Sequence, residues 1–255
     1  MRSVNRVIAI VALVPLLPGS VGAAPPDAFD ALAGHWRCTV ASARPAARSY
    51  VALASTAIGP HAGEREAFGR EDTTESNGAP SSSFERIAVN PDGHSATIES
   101  VEGTGTSAEP ALLRFTGRSN DGDAALALTY AVVGDTLRRT ATRGAVAVDD
   151  ERCTRDAQTP PSAACETPNT PARTLHAEEP EYPPEAAPLK AKGLVTVRVV
   201  VDDRSQVLWA DISSSTNHVF DAAATRAARD STFQTRIVRC RPIAAMYLFG
   251  VDFSY

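Results

Sequence analysis

Apolar and polar positions alternate most strictly near the C-terminus of the chain. In Leu194-Val-Thr-Val-Arg-Val-Val-Val201, Val195, Val197, Val199 and Val201 fall on one face of an extended segment and Thr196 and Arg198 on the other. Asp202-Asp-Arg-Ser-Gln206 supplies a turn. A return strand over 207–213 then sets Leu208, Ala210 and Ile212 together, so the pair reads as a hairpin with one apolar face. Next the period changes: Phe220, Ala223, Ala224 and Ala227 stand at i, i+3, i+4 and i+7 behind Asn217, whose side chain suits the free amides of a helix start. Over 246–255 the period returns to two. Tyr247, Phe249, Val251, Phe253 and Tyr255 share one face, and Leu248, Gly250, Asp252 and Ser254 the other. The pattern predicts an α+β module of order ββαβ over 181–255. Just ahead of the hairpin, Pro183-Pro-Glu-Ala-Ala187 fits the first turn of a helix that Gly193 ends.

The region 27–156 has a different character. After a short helical turn over 29–34, strand-like segments follow at 35–40, 50–56, 84–89, 96–101, 111–116, 125–133, 136–142 and 146–153. Asn90-Pro-Asp-Gly93, Ser119-Asn-Asp-Gly122 and Gly134-Asp135 mark turns between them. Many short strands at this spacing predict an all-β antiparallel barrel or sandwich. A proline-rich and small-residue stretch over 157–180 separates the two regions and reads as an extended linker.

At the start, Arg2 and Arg6 bracket the approach to an apolar run over 7–17, followed by Pro18, Gly19, Ser20 and the small-residue site Val21-Gly22-Ala23. This is the pattern of a secretory signal over 1–23, cleaved near Ala23. The run is shorter than the roughly 20 residues of a membrane span. The expectation is a periplasmic or secreted protein. Its formal charge of −5 becomes −7 once the two arginines of 1–23 are gone, and it has no basic stripe, which argues against a nucleic-acid partner.

Four cysteines in an exported chain predict two bridges. Cys38 lies in the first strand of the barrel region and Cys153 in its last, while Cys165 and Cys240 bracket the C-terminal module. Pairing within each region gives Cys38–Cys153 and Cys165–Cys240, both structural, since no Cys-x-x-Cys spacing is present. No nucleophile-base pattern and no glycine-rich phosphate loop occurs, so an enzyme is not expected and no cofactor is implied. His61 and Glu64 are spaced as a metal pair but sit in a Gly/Pro-rich stretch and read as solvated surface, so no metal is expected. Asp221 reads as a carboxylate placed for the helix dipole.

Two resemblances add to this. The opening Leu32-Ala-Gly-His-Trp36, followed by up-and-down strands, is similar to lipocalin-like barrels. That resemblance implies eight to ten strands around an interior that either holds a small apolar ligand or is filled and serves as a scaffold. In the C-terminal region, Tyr182-Pro183, Gly193-x-Val195-x-Val197, Val207, Ile212 with Ser213-Ser214-Ser215, Phe220-Asp221-x-Ala223-Ala224, Phe233 and the aromatic last strand resemble the C-terminal domain of TonB in order and spacing. The pairing of a cysteine ahead of Pro168-Asn169 with one after the helix resembles the disulfide-containing subgroup.

The TonB resemblance implies that the final strand, Tyr247, Leu248, Phe249, Gly250, Val251, Asp252 and Phe253, is a docking edge. Such an edge takes a short segment of an outer-membrane receptor by strand addition, as in TonB-dependent transport. TonB itself carries a membrane anchor and a long proline-rich spacer; this chain carries a signal pattern and a barrel region instead. The expected function is therefore binding of a peptide or protein partner in the cell envelope. The alternative is an apolar-ligand carrier in which the barrel works and the TonB-like module is structural.

Overall fold

A computed structural model describes residues 6–10, 31–40, 45–53, 65–74, 78–89, 95–100, 103–107, 113–120, 122, 124–156 and 167–254. The chain divides into two compact units: Gly19–Thr159, and Met1–Pro18 together with Pro160–Tyr255. The first strand, β1 (Arg6–Ile10), belongs to the second of these.

Among the described residues of Gly19–Thr159, ten strands form a closed barrel: β2 (Gly34–Val40), β3 (Pro45–Leu53), β4 (Arg65–Thr74), β5 (Pro80–Val89), β6 (Ala96–Glu99), β7 (Gly103–Ser107), β8 (Arg114–Ser119), β9 (Ala125–Val133), β10 (Thr136–Arg143) and β11 (Val146–Arg155). Each strand pairs antiparallel with the next in sequence, and β11 pairs back with β2 to close the ring. The count falls within the expected eight to ten. Alternate residues fill the interior, among them Trp36, Tyr50, Ile87, Ile98, Phe115, Leu128 and Leu137. At the closing seam Cys38 and Cys153 are direct cross-strand partners and form a disulfide, joining first strand to last as expected.

One end of the barrel is held by the Leu32-Ala-Gly-His-Trp36 segment. The Trp36 indole donates to the Leu32 carbonyl at 2.9 Å, and the Arg155 guanidinium lies over the ring at 4.1 Å. Arg155 also donates to the carbonyls of Ala31 and Ala33 at 2.8 and 2.6 Å, tying the last strand to the approach of the first.

The hydrophobic pattern does not mark β4 and β7, for physical reasons. β4 reads Arg-Glu-Ala-Phe-Gly-Arg-Glu-Asp-Thr-Thr and places charges on both faces; β7 reads Gly-Thr-Gly-Thr-Ser and has no large side chain to announce burial. The glycines there serve close backbone approach. A Cβ on Gly117 of β8 would stand 1.9 Å from the Thr104 carbonyl oxygen of β7. The strand expected over 50–56 begins earlier, at Pro45, and the one expected over 111–116 begins at Arg114.

In the C-terminal unit, β14 (Gly193–Val201) and β15 (Val207–Ser215) form the expected hairpin. The Asp202 carboxylate organises the turn by accepting from the Arg204 and Gln206 amides, each at 2.8 Å. A 3-10 turn (His218–Phe220) leads into α1 (Asp221–Asp230), and Asn217 caps the entry by accepting from the Val219 amide. Ala223, Ala224, Ala227 and Ala228 of α1 are buried, the face predicted from their spacing extended by one residue.

Three short strands, β16 (Thr232–Gln234), β17 (Arg236–Val238) and β18 (Arg241–Ile243), precede the last long one, β19 (Ala245–Phe253). Two more fall inside the stretch read as linker. β12 (Asn169–Thr170) pairs with β17, and β13 (Arg173–His176) with β16, so this part of 157–180 is pinned to the unit rather than simply extended over it. The helix expected from Pro183 is also replaced: residues 184–190 form turns. Pro188 has no amide to donate to the Pro184 carbonyl, so a continuous helix cannot form there. Among the described residues no helix is long and apolar enough to cross a membrane.

Candidate functional site

β19 is fixed on one face by aromatic packing. Tyr247, Phe249, Val251 and Phe253 are buried together with Val195, Val197, Val199 and Val201 of β14 and the alanine face of α1. Phe253 stacks on Phe220 with centroids 4.3 Å apart and planes inclined by 11°. Tyr182 meets both rings edge-on, and its hydroxyl donates to the Ala191 carbonyl at 2.6 Å. This explains the Tyr182-Pro183 and Gly193 positions of the motif series: a Cβ on Gly193 would stand 3.0 Å from the Phe220 ring. Phe233 lies 5.3 Å from the Tyr247 ring and 6.1 Å from that of Phe249. The Tyr247 hydroxyl donates to the Gln234 carbonyl, and burial pushes this phenol up to about 12. Tyr255 lies outside the described residues.

On the other face Gly250 is buried, while Leu248 and Asp252 are half-buried. Faces carry side chains; the two hydrogen-bonding edges of β19 carry its backbone groups. One edge pairs antiparallel with β14, from Gly193 opposite Phe253 to Val201 opposite Ala245. The second edge is also occupied, giving a sheet of order β1-β19-β14-β15. β1 runs antiparallel along it with Arg6 opposite Asp252, Val7 opposite Val251, Ile8 opposite Gly250, Ala9 opposite Phe249 and Ile10 opposite Leu248. The seven residues singled out from the sequence thus lie on one strand whose outer edge, over 248–252, holds another extended segment of the same chain.

Cys240 is disulfide-bonded and sits in the two-residue turn between β17 and β18. Its amide donates to the Pro168 carbonyl at 2.9 Å, and the Asn169 side chain accepts from the Arg239 amide at 3.2 Å, so the Pro-Asn pair lies against the turn. Its expected partner Cys165 lies outside the described residues, as do His61 and Glu64. Asp221 stands in the first turn of α1, 2.9 Å from the His218 ring nitrogen.

A second constellation, inside the barrel, was not singled out from the sequence. Arg48 donates to both Glu151 oxygens, at 2.5 and 2.8 Å, and to Glu71 at 2.9 Å. Arg139 donates to Asp149 at 2.5 Å and stands 3.5 Å from Glu85, which accepts from the Tyr130 hydroxyl at 2.9 Å. Arg48, Arg139, Glu85 and Glu151 are all buried. Gly69 makes the room, since a Cβ there would stand 2.5 Å from the Tyr50 ring and 2.8 Å from the Glu85 chain. Burial and the neighbouring Glu151 charge push the Asp149 carboxyl up to about 7, and burial raises Glu71. Burial works the same way on Glu151, but the Arg48 hydrogen bond and the charges of Arg48 and Arg139 outweigh it and hold that carboxyl low. The legible signal was parity: Leu137-x-Arg139-x-Ala141 and Asp149-x-Glu151-x-Cys153 put the charges in step with core residues. Two arginines against four acids, hydrogen-bonded to one another, form an ionic layer that joins β3, β4, β5, β10 and β11.

Residues 178–255 match the family model described as Gram-negative bacterial TonB protein C-terminal. The C-terminal unit therefore carries a TonB C-terminal domain; the barrel and β1 lie outside the match. No curated protein matches the chain.

Proposed function

We propose that this is a cell-envelope protein whose TonB-like domain captures an extended segment of an envelope partner by adding it as a strand along the outer edge of β19. The partner class is the periplasm-facing segment of an outer-membrane receptor, which places the protein in TonB-dependent transport. The protein works in the periplasm or outside the cell after removal of 1–23. The observation that supports this reading is the geometry of β19: a strand held rigidly on one face and on one edge, with a second edge of suitable length and shape to accept a strand, as β1 does. Backbone pairing supplies such binding with affinity, and the half-buried side chains Leu248 and Asp252 supply selectivity.

The barrel serves this reading as a scaffold. Its ionic layer favours that role over an apolar-ligand carrier, because an apolar guest at that level would displace hydrogen bonds among buried charges.

The test is a photo-crosslinking amino acid placed at Leu248 or Asp252 in cells making the exported protein, with exposed Arg226 of α1 as the control position. Strand addition predicts crosslinks to an outer-membrane protein from 248 and 252 and none from 226. Equal labelling from all three positions, or none from 248 and 252, overturns it.

A further inference from the structure

The outer edge of β19 is occupied by β1, which lies within the segment whose sequence predicts an export signal. β1 falls at the start of the apolar run over 7–17 that reads as a secretory signal, and the cleavage expected near Ala23 would remove it from the protein. The same five residues pair in unbroken antiparallel register with residues 248–252, which the proposed function assigns to the partner. A strand edge with unpaired amides and carbonyls is a template for any extended apolar segment, and an exported protein carries such a segment at its N-terminus until processing. Val7, Ile8 and Ile10 are β-branched residues suited to extended pairing, and the register sets Arg6 opposite Asp252, opposite charges on adjacent strands.

We propose that the N-terminal segment caps the docking edge in cis, so that the unprocessed chain is closed to its partner and removal of 1–23 opens it. This rests on the reading of β19 as the docking edge. The cap also defines what the edge accepts: an antiparallel segment of about five residues, rich in β-branched residues, with a cation opposite Asp252. A tethered strand competes with a free one at an effective concentration of up to about millimolar, so it shields the edge from partners present at lower concentration. Until processing the device keeps an exposed strand edge covered, which would otherwise template edge-to-edge association.

The experiment uses the full unprocessed chain and its V7P/I8P variant, in which two adjacent prolines remove the donor from β1 whichever residue faces β19. The probe is a fluorescein-labelled peptide of residues 4–12. The variant should bind it at least about tenfold more tightly than the unaltered chain, the effect of removing a tethered competitor. A peptide carrying the same two prolines should bind neither. Because β1 is an outer strand, the melting of the β14–β15 sheet should be unchanged in the variant, which separates uncapping from unfolding. In parallel, the R6C/D252C chain should form the cross-strand disulfide on oxidation, read as a mass shift of peptides spanning both positions. Equal probe affinity for the unaltered chain and the variant overturns the cap while leaving the edge as a docking site. Absence of binding to either chain, with crosslinking from 248 and 252 intact, also overturns the cap and shows that the edge selects a different sequence. Absence of both signals overturns the docking reading as well.

Discussion

The two units solve the problem of the sheet edge in opposite ways. The barrel has none: β11 returns to β2, and the Cys38–Cys153 bridge locks the seam where the ring closes. The C-terminal sheet is open, and the outer side of β19 is covered by a segment from the far end of the sequence. Their interiors differ in the same sense. The barrel holds a layer of buried ion pairs that requires its many partners to be in place at once, whereas the open sheet packs on aromatic stacking around Phe220 and Phe253. A closed sheet is suited to being a scaffold, and an open one to exchanging a strand.

The strongest way to break this contrast is to cut the seam. Replacing Cys38 and Cys153 by alanine releases a loop closed over a sequence separation of 115 residues and should cost the barrel on the order of 5 kcal/mol. Trp36 and Trp209 are the chain's two tryptophans, one in each unit, so Trp36 fluorescence in a Trp209→Phe background reports the barrel's denaturation alone. Amide exchange in β14 should be unaffected, since the bridge lies in the other unit.

Arg48→Met leaves Glu151 buried without its bidentate partner and should destabilise the barrel by about 3–5 kcal/mol. Adding Glu151→Leu should recover part of that loss, because it removes the uncompensated charge. On the other side of the comparison, Phe220→Ala removes the ring stacked on Phe253 and should cost the C-terminal unit about 3–5 kcal/mol, read by amide exchange in β14 and β19.

The smallest expected effect is a pH slope in the barrel. Asp149 is pushed from 3.8 up to about 7 in the fold, so between these values the folded barrel holds more protons than the unfolded chain. Its contribution is whole below about 3.8, falls as pH rises, and is gone above about 7. The denaturation midpoint of the barrel should therefore fall from pH 5 to pH 8 by more than that of an Asp149→Asn variant.

How much of this was legible in the sequence also divides along the two units. In the C-terminal domain the four longest elements, β14, β15, α1 and β19, were legible, because these strands alternate cleanly, the helix has a three-four spacing, and a cap residue and turn residues stand where those periods change; β16, β17 and β18, three residues each, are too short to show a period. Two further differences there came from proline: Pro188 breaks the helix expected after Pro183, and the proline-rich run hid the two short strands β12 and β13. The barrel was read as a class but not strand by strand. β4 and β7 escaped because charges and glycines leave no hydrophobic signature, and the ionic layer escaped because charged positions carry no hydrophobic signal of burial even in the strands that were legible. The disulfide Cys38–Cys153 was legible from position alone. The identity of β19 as the last strand was legible as well, whereas the cover on its outer edge was not. That pairing joins residues nearly the full length of the chain apart, and the apolar run carried a stronger local meaning as an export signal.

Strand addition would seat a partner's segment on the edge of β19 over 248–252. It is tested most directly by amide hydrogen exchange of the exported protein, free and bound to the receptor segment recovered by crosslinking. Exchange should slow at alternate amides of 248–252 on binding and stay unchanged on the exposed face of α1. Unchanged exchange over 248–252 in a saturated complex, with slowing elsewhere, would contradict it.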